Sequence, residues 1–153
     1  MTDSIKKDEK TGSKYIEDFR KLELLYKESL GVFDKYFQGL EEGKVYASMC
    51  RKCGSKVYPP RFVCPVCGSK EVEWFVIDKR GKLITYAEMN VKPVTHAHYD
   101  DYILGIGEFD GVKVLGIVEA KYEELSVDME IEWDIKIREP ENYPVIVFKP
   151  SKK

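Results

Sequence analysis

The sequence predicts an α+β chain that is mainly β, with N-terminal helices, a small cysteine-bearing ribbon and a C-terminal closed β-barrel of the OB-fold kind. Three observations predict it. Apolar residues recur at helical spacing between Tyr15 and Leu40, two Cys-x-x-Cys-Gly motifs follow, and beyond them run alternating segments broken by turn residues. The expected divisions are a disordered tail over 1–13, helices over 14–43, a ribbon over 44–72 and the barrel over 73–150. With 153 residues, 43% hydrophobic and 34% charged, the chain is long enough for a sizeable core and too apolar for wholesale disorder.

Residues 1–13 are polar, so they are expected to fray, and they offer no apolar h-region for a secretory signal. No apolar run approaches the ~18 residues of a membrane span. The expected location is the cytoplasm. Tyr15, Phe19, Leu22, Tyr26 and Leu30 make one apolar stripe, and Phe33, Tyr36, Phe37 and Leu40 make a second. Gly31 falls between the stripes and Gly43 beyond them, so two short helices are expected, broken at Gly31. Their many aromatics either pack on the chain's own barrel or, because a small barrel and ribbon offer little surface for both helices, in part meet a partner or a second copy in a homodimer. Lys44–Met49 reads as a strand leading into the first cysteine pair. Later strands are expected at Val72–Ile77, Leu83–Met89, Tyr102–Phe109, Val112–Glu119, Glu130–Arg138 and Val145–Phe148. Asp110-Gly111 is a strong hairpin signal. Asn90–Asp101 and Lys121–Asp128 read as loops.

The cysteines carry the clearest chemistry. Cys50-Arg-Lys-Cys53-Gly54 and Cys64-Pro-Val-Cys67-Gly68 can each supply two thiolates from a tight turn. Four thiolates in a tetrahedron make the closed structural site that zinc prefers, with iron as the alternative for an S₄ set. The glycine after each pair permits the positive φ that folds backbone N–H groups toward sulfur. Thioredoxin-like redox chemistry expects a single pair at a helix start, and here there are two in a turn-rich setting. A disulfide framework is disfavoured in the expected compartment. A closed Cys₄ site leaves no position for substrate, so the metal is expected to be structural.

Charge is unevenly spread. Residues 81–148 hold 6 basic and 14 acidic side chains, whereas residues 1–80 hold 16 and 13. A barrel of net −8 repels a phosphate backbone, which disfavours nucleic acid. Arg51, Lys52, Lys56, Arg61 and Lys70 lie together with no acidic residue between 51 and 70. They serve either as counter-charge to the thiolates or as a phosphate-binding patch.

The segment GLEEGKVYASMCRKCGSKVYPPRFVCPVCGS, residues 39–69, resembles the start of the DUF35 family. Glu73-Trp74 after the ribbon, Gly81-Lys-Leu-Ile-Thr-Tyr86 and Tyr102-Ile-Leu-Gly-Ile-Gly107 agree with it, and the likeness covers about residues 30–148. The chain departs from the family in reading Leu125-Ser-Val-Asp-Met129 where a Gly-containing turn is frequent. The resemblance implies a rubredoxin-like zinc ribbon followed by an OB-fold. It also implies a non-catalytic, acyl-CoA-binding accessory subunit of a thiolase-like enzyme, in archaea of the thiolase–HMG-CoA synthase pair.

Metal ligands are thus expected at Cys50, Cys53, Cys64 and Cys67, and no catalytic residue is assigned. Candidate ligand contacts are Lys56 and Arg61 for phosphates, with Tyr86, Gly105, Gly107 and Gly116 along the pantetheine arm. The same glycines are explained equally by the sharp bend of a small barrel, and Tyr86 by the core. Ribbon and barrel are each expected to have a core of their own. His96 and His98 sit in a polar loop without a nucleophile pattern. Two rival readings are a single-stranded nucleic-acid binder, which needs a basic groove with stacking aromatics, and a stand-alone thioester hydrolase, which needs a positioned base.

Overall fold

The computed structural model describes residues 5–16, 29–93, 98, 100–139 and 142–151. The chain divides into two compact units, Met1–Leu30 and Gly31–Lys153. In the first unit, β1 (Ile5–Lys7) pairs antiparallel with β2 (Lys14–Ile16). Asp8 closes the turn, its Oδ1 accepting from the backbone N–H of Thr11 at 2.7 Å and of Lys10 at 3.0 Å. The Thr11 backbone bond is the main reason the Asp8 carboxyl titrates below its usual range.

This hairpin corrects the helical reading at its start. Tyr15 lies in a strand, and among the described residues there is one short α-helix instead of several. The Asp8 turn, completed by Gly12 at φ +71°, sends the chain back on itself before helical spacing can act. Phe19, Leu22 and Tyr26 lie outside the described residues. The second apolar stripe does form its helix. A 3₁₀ turn at Gly31–Phe33 leads into α1 (Asp34–Glu41). Gly31 and Gly43 bracket the pair with φ of +52° and +73°.

The ribbon is a three-stranded antiparallel sheet in the order β4 (Lys56–Val57), β3 (Tyr46–Cys50), β5 (Val72–Val76). The barrel closes from β6 (Arg80–Met89), β7 (Tyr102–Phe109), β8 (Val112–Val118), β9 (Glu130–Arg138) and β10 (Tyr143–Pro150). Its order is β10-β8-β7-β6-β9 with β9 returning to β10, and only β8–β10 is parallel. This is an OB-like barrel. Asp110 and Gly111 both take positive φ, 53° and 76°, as the tight β7–β8 hairpin requires. Asp128, with φ 66°, supplies the left-handed residue in the turn before β9 where a glycine is frequent in the resembling family. Its backbone N–H donates to the Leu83 carbonyl at 2.8 Å.

Strand alternation points Leu83, Phe109, Val112, Val114, Ile131 and Phe148 into the barrel, where each is essentially fully buried. Leu40, Val45, Ala47 and Ile77 belong to the same apolar cluster. The expectation of separate cores is therefore replaced by one core that runs from the root of the ribbon into the barrel. A polar clasp reinforces it at Asp110. The Lys56 ammonium donates to the Asp110 carbonyl at 2.6 Å, and the Asp110 carboxylate accepts from the Asp78 backbone N–H at 2.6 Å. Trp133 Nε1 donates to the Asp78 carbonyl at 2.7 Å. No helix among the described residues is long and apolar enough to cross a membrane.

The inward glycines of β7 meet this core directly. A Cβ at Gly107 would lie 2.6 Å from the Phe109 ring and 2.9 Å from Ile131 Cδ1. Gly107→Ala is expected to destabilise the protein by about 1–3 kcal/mol through overpacking. Unchanged stability in urea unfolding would mean that the barrel interior is open at this point.

Candidate metal centre and ligand groove

The two cysteine motifs fold into matching knuckles. In the first, Cys50 N–H donates to the Ser55 carbonyl at 2.9 Å and Gly54 N–H to the Cys50 carbonyl at 2.8 Å. In the second, Cys64 donates to Ser69 at 2.9 Å and Gly68 to Cys64 at 3.0 Å. Gly54 and Gly68 take φ of +71° and +70°, the conformation that lets each turn close. The knuckles face each other so that all four sulfurs lie within 4.8 Å of one another. Cys50 Sγ is 3.6 Å from Cys67 Sγ, and Cys53 Sγ is 3.6 Å from Cys64 Sγ. A tetrahedral ion with ~2.3 Å Zn–S bonds would hold its sulfurs about 3.8 Å apart, so this donor set fits zinc without rearrangement.

The surroundings favour thiolate at some sulfurs and resist it at others. The Ser55 hydroxyl, followed by the backbone N–H of Cys67, lowers the Cys64 thiol to about 6, and Ser55 also lowers Cys53. At Cys67 the Ser69 backbone N–H favours the anion, but burial and the three neighbouring sulfurs override it and push the thiol up to about 12. Four thiolates in so small a volume would repel one another, and a divalent cation at its centre would relieve that repulsion.

A second feature lies where α1, the ribbon and the barrel meet. An apolar groove of about 620 Å³ is bounded by Leu104 on β7, Leu115, Gly116 and Ile117 on β8, Pro144–Ile146 on β10, and Tyr36, Leu40 and Tyr58. Tyr36 and Tyr58 share a 2.7 Å hydrogen bond through their hydroxyls. Burial pushes both phenols above their usual range, so this wall stays uncharged. The charged residues that border it are Asp100 and Asp101 before β7 and Arg138 at the end of β9, and Tyr102 and Tyr143 add two further rings.

Of the six sequence-derived ligand contacts, Gly116 borders this groove. Lys56 is spent on the Asp110 clasp and also lies 5.4 Å from the Phe75 ring centroid. Arg61 is exposed, while its backbone is fixed by a 3.1 Å bond to Ser48 Oγ and a 3.1 Å bond from Trp74 Nε1. Tyr86 donates to the Leu125 carbonyl at 2.8 Å and packs against Tyr122. The inward positions of Gly105 and Gly107 are filled by Val118, Leu83, Phe109 and Ile131. His96 lies outside the described residues, and His98 does not border the groove.

The groove residues Leu104, Leu115 and Ile117 were missed, although the sequence carries a signal for them. They occupy outward positions of β7 and β8, where a barrel strand facing water would be polar.

Fold and site together define a tetracysteine ribbon packed on an OB-like barrel. The comparisons agree. Residues 37–73 match the family model of the ChsH2 rubredoxin-like zinc ribbon domain. A DUF35 domain-containing scaffold protein of Pyrococcus furiosus is 30% identical over 111 residues, covering 71% of this chain and 81% of that protein. One from Methanocaldococcus jannaschii is 33% identical over 86 residues, covering 54% of this chain. The matched region spans 61% of that relative's length. The chain belongs to the DUF35 family. Among solved structures, an Ltp2-ChsH2(DUF35) aldolase superposes with TM-score 0.64 at 20% identity, covering 76% of this chain and 91% of that one. A DUF35 protein of unknown function from Sulfolobus solfataricus gives 0.55 at 20% identity, covering 77% and 84%. At that identity these two matches speak to fold alone.

Elemental analysis of the natively purified protein is expected to give one zinc per chain. Cys64→Ser should lose the ion and lower the melting temperature of the barrel as well as the ribbon, because the two share a core. A metal-free protein that melts as the zinc-loaded one does would contradict this.

Proposed function

We propose that this protein is a non-catalytic accessory subunit that holds an acyl-CoA beside a thiolase-like enzyme, of the kind that works with HMG-CoA synthase in archaea. The observation that carries the reading is the apolar groove at the junction of α1, ribbon and barrel. Its wall of Leu104, Leu115, Ile117 and Val145 suits an acyl or pantetheine chain, which needs apolar contact and few hydrogen bonds. Two phenols that remain neutral can hydrogen-bond to amide or thioester oxygens without imposing charge. The phosphates at the other end of CoA require cations. Arg138 borders the groove and is the candidate there. Arg61, on a fixed backbone but not among the residues bordering the groove, is the candidate the sequence offers. The zinc, held by Cys50, Cys53, Cys64 and Cys67, is structural. It fixes the knuckles that carry the Tyr58 segment to the groove. The scaffold names of the two archaeal relatives support an adaptor role.

The nucleic-acid reading fits the groove poorly. OB barrels that bind single strands use a cationic face with stacking rings. This groove has tyrosines, but among the described residues Arg138 is the one cation bordering it, against the carboxylates of Asp100 and Asp101, and Tyr36 and Tyr58 are tied to each other through their hydroxyls.

Leu115 is 60% exposed on the groove wall, so Leu115→Glu can fold normally while placing a carboxylate against the chain of the ligand. The variant is expected to weaken acyl-CoA binding by at least ~10-fold, by calorimetry in the presence of the thiolase-like enzyme, with zinc content unchanged. Unaltered affinity would place the ligand elsewhere. Salt-dependent binding of a single-stranded oligonucleotide that Leu115→Glu abolishes would replace the reading with its rival.

A further inference from the structure

The ribbon carries a second apolar face, bordering a cleft whose residues are absent from the groove. Phe33, Phe62 and Trp74 form a triangle of rings, with centroids 5.5 Å apart for Phe33–Phe62, 5.0 Å for Phe62–Trp74 and 6.3 Å for Phe33–Trp74. Val32, Lys35, Phe62, Val72 and Trp74 border a cleft of about 250 Å³ beside them. These side chains stand well into water: Val32 is 66% exposed, Phe62 45% and Phe33 42%. Exposing a contiguous aromatic cluster costs free energy that burial against a partner recovers.

Among the described residues that border the cleft, Lys35 is the one that carries a charge. Lys35 lies on its wall, with Nζ 5.1 Å from the Tyr46 ring centroid and 5.9 Å from that of Trp74. The exposed Lys70 and Glu71 precede Val72 and offset each other in charge, and Lys35 is in no ion pair among the described residues. The carboxylate of Glu73 is already engaged by Arg51 at 2.7 Å. A lysine held over aromatic rings is a positioned cation with no anion of its own.

We propose that this face is a protein-docking surface, and that it receives from the partner enzyme a segment bearing an apolar side chain beside a carboxylate. The proposal rests on the accessory-subunit reading above. The apolar side chain enters between Val32, Phe62 and Trp74, and a carboxylate pairs with Lys35. An apolar aromatic anchor with a polar or charged group at its edge is the usual make-up of an interface centre. Nucleic acid is the poorer occupant, because the three rings pack on one another and on Lys35 instead of standing apart to accept bases.

The test is calorimetric binding of the zinc-loaded chain to the thiolase-like enzyme of its own host, at low and high salt, for wild type, Phe62→Ser and Lys35→Glu. Each substitution is expected to weaken binding at least ~10-fold with zinc content unchanged, and Lys35→Glu to flatten the salt dependence. Lys35 is exposed, so its variant keeps the test valid if Phe62→Ser folds poorly. Wild-type affinity in Lys35→Glu, or in both variants, overturns the docking face and leaves the accessory role standing. No binding by the unmodified chain overturns both. Enzyme binding that is unaffected while binding of a single-stranded DNA oligonucleotide falls assigns the face to nucleic acid and overturns the proposal.

Discussion

The far end of the ribbon, away from the barrel core, depends on the convergence of four sulfurs. The ribbon has strands of five, two and five residues, and a sheet that small cannot bury enough apolar surface to offset its own ordering. Its knuckles are held by backbone hydrogen bonds between near neighbours, Cys50 to Ser55 and Cys64 to Ser69. What joins one knuckle to the other is the sulfur cluster, with the Ser55 hydroxyl 3.1 Å from Cys64 Sγ and the Arg51 backbone N–H donating to the Glu71 carbonyl at 2.8 Å. A metal ion there converts two weak turns into one rigid corner, and binding free energy becomes folding free energy. The corner positions Tyr58 beside Tyr36, which in turn sets one wall of the groove.

The ribbon does not hang from the barrel as a separate bead. Val45 and Ala47 at its root share an apolar cluster with Leu83, Phe109 and Phe148, and Lys56 and Asp78 both bind Asp110 at the tip of a barrel hairpin. A change at the metal is therefore transmitted to the barrel through packed side chains, and strain in the barrel is felt at the groove. That coupling suits a scaffold, whose task is to hold surfaces in fixed relation instead of moving a reacting group.

Much of this was legible in the sequence, and what escaped did so for physical reasons. The Cys-x-x-Cys-Gly pairs state their own chemistry, because spacing and a left-handed glycine are local properties. Asp110-Gly111 likewise declared its hairpin, and alternation declared β7 and β8. Tyr15 was misread because its helical spacing competes with the Asp8 turn, which needs only one carboxylate and two N–H groups to win. For Lys56 the sequence shows a cation but not the carbonyl 54 residues away that accepts one of its hydrogen bonds. Gly105 and Gly107 allowed two readings, and only the positions of Val118 and Ile131 decide that their missing side chains are occupied by core. The groove draws on α1, the ribbon and four barrel strands or their ends, so no single stretch announces it.

The central claim is that the ribbon–barrel junction binds the chain of an acyl-CoA. Hydrogen–deuterium exchange on the zinc-loaded protein with its thiolase-like partner, with and without acyl-CoA, tests it most directly. The account predicts ligand-dependent protection at residues 102–106, 113–118 and 143–146 and around Tyr58, with the cysteine knuckles unchanged. Protection that leaves those segments untouched, or that appears only at the knuckles, would contradict it.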